Sequence, residues 1–183
     1  MRWVPFLILA YVTVLVQATL VGVLVLPVGW SGPVAPDLAA AVAVLVALNA
    51  RSGLDVMIAA WILGMAMDLM LCGGGGAPTA IGPMAIAYAL SAGLLFRIRE
   101  AFFHERAMTQ ALLTLLFCLL AHGVWITAQT LLGAPWSAYG RWLAKGAGIS
   151  VYTAVLAPLV CAILRTPRRW FLAVPTDRRR KRR

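Results

Sequence analysis

Charge is what this sequence has least of. Only 12% of its 183 residues are charged, and six are acidic. Soluble domains carry about 25% charged and about 45–50% apolar residues. Here 62% are hydrophobic and mean hydropathy is +0.89. A soluble domain of this length cannot hide that much apolar surface, so a water-soluble globule is excluded. Also lacking are paired carboxylates, a nucleophile with a base and an orienting group, and any His/Cys/Asp set with ligand spacing. Neither an enzyme, nor a metal centre, nor a cofactor site is expected. Cysteine is sparse and odd in number. Cys72, Cys118 and Cys161 fall in separate apolar segments, which rules out a disulfide framework and leaves them as small hydrophobes. Basic residues outnumber acids, with a net charge of +10, yet six of the sixteen stand at 178–183 and only +4 remains without them. The basicity belongs to the tail and does not indicate nucleic-acid binding.

What is present is a series of long apolar runs, the mark of membrane-spanning helices. The sequence predicts an all-α, polytopic integral membrane helix bundle of about six transmembrane helices. The segments are Pro5 to Leu26, Asp37 to Ala50, Leu54 to Cys72, Thr79 to Phe96, Ala107 to Leu132 and Leu143 to Leu164. They form one domain, 1–166, followed by a basic tail, 167–183. Arg2 and the run after it imitate a signal peptide, but the run stays uncharged from Trp3 to Pro36. It is too long for a signal h-region and reads as a first span. The second segment is short, about 21 Å of helix against a hydrocarbon core of about 30 Å. It must thin the bilayer, lean on neighbours or begin earlier. With the N-terminus in the cytoplasm, fourteen basic residues fall inside and only Arg141 and Lys145 outside. That split predicts an even number of spans with both ends cytoplasmic. Trp30, Trp136, Tyr139 and Trp142 would mark the outer interface. Trp3, Phe102, Phe103, Trp170 and Phe171 would mark the inner one. Trp61 and Trp125 lie near mid-membrane, packed between helices or against lipid tails. The tail's basic residues would attract anionic lipid, at about 1 kcal/mol each near the surface.

Small residues recur at four-residue spacing: Ala60, Gly64 and Asp68; Ala85, Ala89 and Gly93; Gly146, Ser150 and Ala154. Such ridges let helix backbones approach closely. Intramolecular packing is the plain expectation, and a docked partner helix the alternative.

Asp68 is the residue that most needs a reason. It lies about one turn from the end of its helix, and a carboxylate at depth costs about 2.5–3.5 kcal/mol on insertion scales. The negative end of a helix is also a poor place for an anion. Two arrangements would satisfy it. The run Gly73, Gly74, Gly75 and Gly76 can turn its N–H groups inward as an anion nest. The next helix also starts nearby and offers free N–H groups, with Pro78 and Pro83 suited to a helix start. The first expectation is a staple of the helix three–four turn, and a proton-relay or substrate-binding role is its rival. The glycine run is not a phosphate loop, because no Lys-Ser/Thr follows it. Asp37, after Pro36, reads as a helix cap at the outer surface. Gln17 and His122 fall at a similar depth, about 14–15 Å from the outer ends of their helices. They are expected to bond across the bundle as packing glue. Asp68 lies about 8–9 Å nearer the surface, which disfavours a His122 relay and makes Gln129 its possible partner.

Several of these residues together resemble the MreD family, the membrane subunit of the bacterial rod-shape (elongation) machinery. The matching pieces are Leu15, Val16 and Gln17; Pro36, Asp37 and Leu38; Leu63, Gly64, Met67, Asp68 and Leu69, then a glycine-rich turn; and Ala85, Ile86, Ala87 and Tyr88, with Arg97 and Arg99 beyond. The resemblance covers about residues 5–165 and is sharpest from Gly64 to Tyr88. It implies a non-enzymatic scaffold of the bacterial cytoplasmic (inner) membrane. Such a scaffold binds MreC and supports cell-wall elongation by RodA and its penicillin-binding transpeptidase, alongside MreB. It further implies a fold similar to the substrate-binding component of energy-coupling-factor transporters. The alternative function is a vitamin-capture subunit of such a transporter. Two features depart from the family pattern: the turn is unusually rich in glycine, and the terminal Arg/Lys run is long.

Overall fold

The structure, a computed structural model, describes residues 3–29, 32–71, 80–99 and 107–164. Cys72, the glycine run with Gly73 and Gly74, Pro78, Trp30, Phe102, Phe103 and the basic tail lie outside the described residues.

Six α-helices dominate the described residues: α1 (Trp3–Leu20), α2 (Leu38–Asn49), α3 (Gly53–Leu71), α4 (Pro83–Ile98), α5 (Ala107–Leu131) and α6 (Tyr139–Ile163). The six expected helices are present, and three of their ends need correction. The first helix stops at Leu20 rather than Leu26. A 3-10 turn, Val21–Leu24, then leads into a small antiparallel hairpin of β1 (Leu26–Val28) and β2 (Gly32–Val34). Hydropathy stays high across this boundary, but Pro27 cannot continue a helix. Pro27 faces Pro33 in the ladder. Neither has an N–H to donate, so the pairs on either side carry the ribbon. The fourth helix begins at Pro83 rather than Thr79, with proline at the favoured first position. The sixth begins at Tyr139, four residues before Leu143, after a 3-10 turn at Trp136–Ala138.

The short second helix is the centre of the bundle. Every residue from Ala39 to Ala47 is buried, and α1, α3, α4, α5 and α6 all pack against it. A helix that is apolar all round belongs in an interior, and its alanines let five neighbours approach. Of the expected ways to accommodate its short length, leaning on neighbours is the one the packing shows.

The small-residue ridges pack within the chain. At Gly64 an added Cβ would lie 2.7 Å from both Ala85 Cα and the Met84 carbonyl oxygen. At Gly146 it would meet His122 Cβ at 3.2 Å. Ser150 and Ala154 are buried. Cys118 and Cys161 are buried and free of disulfides.

Outward faces remain strongly apolar: Leu54, Met108 and Val155 are each 70% or more exposed. Exposed apolar surface on this scale marks an interaction with a membrane or a partner. The stretches Gly53–Leu71, Ala107–Leu131 and Trp136–Ile163 are long and apolar enough to cross a membrane, and three shorter apolar helices accompany them. Trp61 is 45% exposed among these outward residues.

Candidate functional site

The first turn of a helix leaves backbone N–H groups without intrahelical partners, and burying them unpaired is costly. At α4 the N-cap residue is Gly82, with φ +114° and no side chain to help. The missing acceptor comes from α3. Asp68 Oδ2 accepts from the N–H groups of Gly82 at 3.0 Å, Met84 at 2.9 Å and Ala85 at 3.2 Å. Asp68 is fully buried. Of the two expected arrangements, the one at the start of the fourth helix is present, while the glycine nest falls outside the described residues. The carboxylate sits near the negative end of its own helix, and the positive end of α4 offsets that. Among the described residues, neither its Oδ1 nor the buried indole N–H of Trp125 has a close hydrogen-bond partner, and the indole lies near enough to interact with the carboxylate.

Gln129 does not bond Asp68 in the way expected. Its amide clamps the residue two before Gly82, with Nε2 donating to the Ala80 carbonyl at 2.9 Å and Oε1 accepting from the Ala80 N–H at 3.3 Å. Asp68 and Gln129 therefore hold one short piece of backbone from two sides.

Asp37 caps α2 as expected, its Oδ1 accepting from the Ala40 N–H at 2.9 Å. It is not at the surface, being only 2% exposed. Its Oδ2 accepts from the Tyr88 hydroxyl of α4, and its backbone N–H donates to Thr153 Oγ1 of α6 at 2.9 Å. One residue thus joins three helices.

Gln17 and His122 do not bond each other. Gln17 of α1 donates to the Pro36 carbonyl at 3.0 Å and accepts from the Leu38 N–H at 2.8 Å, so it holds the entry to α2. His122 Nδ1 lies 2.8 Å from the Cys118 carbonyl oxygen, one turn back on α5. A carbonyl only accepts, so Nδ1 carries a proton, which leaves Nε2 as the nitrogen without a bond along the helix. Both residues nonetheless line one cavity of about 490 Å³ at this end of the bundle, with Asp37, Trp125, Trp142 and Lys145. The shared depth was readable from helix rise, whereas the direction of each bond was not.

Sequence reasoning missed Tyr88 and Thr153 as partners of Asp37. A buried tyrosine hydroxyl needs an acceptor, and Asp37 is the buried carboxylate that supplies it. It also missed Arg99. At the far end of α2, Arg99 Nη1 donates to the Ala47 carbonyl at 2.7 Å and the Ala50 carbonyl at 2.6 Å, with its guanidinium 4.0 Å over the Phe96 ring. The signal was an arginine at the close of an apolar helix, where a cation suits the carbonyl ends of a neighbour.

Among the described residues, then, the architecture is an all-α bundle of apolar helices in which the buried ends of α2 and α4 are finished by side chains, most of them from other helices. No protein-family model, curated protein or solved structure matches the chain.

Proposed function

We propose that this chain is a non-enzymatic scaffold of the bacterial inner membrane, of the MreD type. It crosses the bilayer six times with both ends in the cytoplasm, in a fold like the substrate-binding component of energy-coupling-factor transporters. It binds MreC and, through it, supports RodA, its penicillin-binding transpeptidase and MreB in cell-wall elongation. Its basic tail rests on anionic lipid.

One observation carries the reading: the pieces on which the resemblance rests touch one another. Gln17 bonds Pro36 and Leu38, Asp37 accepts from Tyr88, Gly64 lies against Ala85, and Asp68 accepts from the first turn of α4. Short apolar motifs scattered by chance have no reason to converge on one fastening. The polar side chains of this region bond backbone or each other, which suits a rigid platform more than turnover. The test is depletion in the host together with pull-down from native membranes. Cells should round and swell, and a single-span protein with a large outer domain should follow the chain through purification. Depleted cells that keep their shape and wall growth would overturn the proposal.

The cavity favours a second reading, a small-molecule capture subunit. A thermal-shift screen with vitamins separates the two, because a saturable shift supports capture.

A further inference from the structure

We propose that the cavity at the hairpin end of the bundle is a binding site for a small ring-bearing anion, a carboxylate or a phosphate ester, with Lys145 taking the charge and Trp125 and Trp142 taking the ring. The proposal goes beyond the scaffold reading and needs no part of it. For the capture reading it supplies a ligand class, and there it rests on that reading.

Sorting the polar groups of the wall by what they already do leads to this class. The volume, about 490 Å³, lies within the range of small-molecule sites, about 300–1,000 Å³. Gln17 has both ends of its amide committed to the entry of α2. Asp37 has both oxygens committed, one to Ala40 and one to Tyr88. Its charge is further offset by the positive end of α2. The uncommitted polar groups of the wall include, among the described residues, the ammonium of Lys145, Nε2 of His122 and the indole N–H of Trp125, which has no close hydrogen-bond partner.

The helices arrange these groups in two facing pairs. His122 and Trp125 are three apart on α5, and Trp142 and Lys145 are three apart on α6, so each pair shares a helix face. Gly146 lets the faces close, since any Cβ there would press on His122. The indole rings of Trp125 and Trp142 stand 6.1 Å apart at 32°. A cation, two tilted aromatic planes and an imidazole nitrogen around one apolar volume match a ligand with an anionic group, a flat body and one polar group to meet the imidazole. Lys145 is exposed as well as cavity-lining, which puts the anion at the opening.

The anionic group has two possible sources, a soluble molecule or a lipid headgroup, and the experiment distinguishes them. Full-length protein in phosphatidylcholine nanodiscs is titrated calorimetrically with 2-naphthoate, 2-naphthyl phosphate and neutral 2-naphthamide. At least one anion should saturate at one per chain, and the amide should bind about tenfold more weakly, as expected for losing one charge-assisted contact. Lys145→Ala should weaken the anion about tenfold and Lys145→Arg should retain it. Trp142→Leu should weaken all three probes. Phosphatidylglycerol added to the discs supports a lipid headgroup as occupant if it competes in the wild type but not in Lys145→Ala. No competition supports a soluble ligand. Absence of saturation by either anion, equal binding of the amide, or unchanged binding in Lys145→Ala would each overturn the site. If Lys145→Ala melts early, the amide comparison and Lys145→Arg still decide. A failed titration leaves partner pull-down untouched, so this proposal and the scaffold reading fall separately.

Discussion

The N-termini of α2 and α4 present the same unpaired N–H groups, and the chain satisfies them in different ways. At α2 the work is shared: Asp37 bonds a residue three places on, and Gln17 of α1 takes the Leu38 N–H. At α4 the acceptor is remote: Gly82 has no side chain, and Asp68 reaches in from the preceding helix, 14 to 17 residues back. A local cap fixes where a helix begins. A remote cap also fixes where that helix sits, because the bond exists only when α3 and α4 are docked. In a bilayer the distinction grows, since lipid offers no substitute for a lost acceptor.

The comparison breaks hardest at Asp68. Asp68→Ala removes one acceptor from three N–H groups, of which those of Met84 and Ala85 are buried and each cost about 1–3 kcal/mol when orphaned. A loss of about 3 kcal/mol or more is expected in reversible unfolding in detergent. Asp68→Asn should cost less than half of that, because its amide oxygen still accepts while the charge assistance is gone. If both variants melt as wild type and yet lose a partner in pull-down, the carboxylate serves an interface rather than the hairpin.

Asp37 should rank second and sharpens the contrast. Asp37→Ala loses a cap worth about 1 kcal/mol and strands the Tyr88 hydroxyl at a further cost of about 1–3 kcal/mol. Asp37→Ser keeps a capping oxygen but gives up Tyr88. If the serine variant recovers full stability in the same unfolding measurement, Asp37 is a local cap and nothing more. Partial recovery means that its link to α4 matters, and the two helix starts are then less different than they look.

These two aspartates also show how far the sequence could be read. Asp37 was legible as a cap because capping is local: a proline, an aspartate and an apolar run suffice to place it. Asp68 was legible as a problem, a charge at depth, and the start of the next helix was one of its two solutions. Its geometry followed from chain connectivity, since a short turn must bring the two helix ends together. What sequence could not supply was long-range partnership. Tyr88 and Thr153 lie 51 and 116 residues from Asp37, and nothing in hydropathy pairs them. The hairpin at Leu26–Val34 was hidden for a different reason. Val21 to Leu26 stay apolar, so the run gave no sign that α1 stops at Leu20, and the prolines and glycines from Pro27 to Pro33 marked only a break in the chain. Trp142 was read as an interface marker and Lys145 as one of two basic residues on the outer side, because a cavity is a property of assembled helices and not of any one of them.

Gly64 is the third test, and it asks whether the remote cap depends on close approach. One turn before Asp68, Gly64 lies so near Ala85 and Met84 that a methyl group would stand 2.7 Å from backbone atoms. Backbone cannot swing aside as a side chain does. Gly64→Ala should cost about 1–3 kcal/mol and lengthen the reach from Asp68 to the α4 N–H groups. In a double-mutant cycle with Asp68→Asn the two losses should therefore overlap rather than add. Additive losses would mean that the helix contact and the cap are independent fastenings.

Arg99 carries the comparison to the opposite pole of α2, with the smallest expected effect. The helix that Asp37 and Gln17 cap together at its start is finished wholly from outside at its end, where one guanidinium nitrogen serves both the Ala47 and Ala50 carbonyls while the group lies over Phe96. Lysine would keep the charge that a helix C-terminus favours and lose the planar group that stacks on the ring while bonding at its edge. Arg99→Lys should therefore cost about 0.5–1 kcal/mol, the size of an exposed cation–π contact, and Arg99→Leu distinctly more, read by the same unfolding measurement. If lysine matches arginine, charge alone closes α2, and a remote partner is needed there only for its field. If it does not, shape counts as well as sign, and α2 resembles α4 in depending on a particular side chain from another helix for one of its ends.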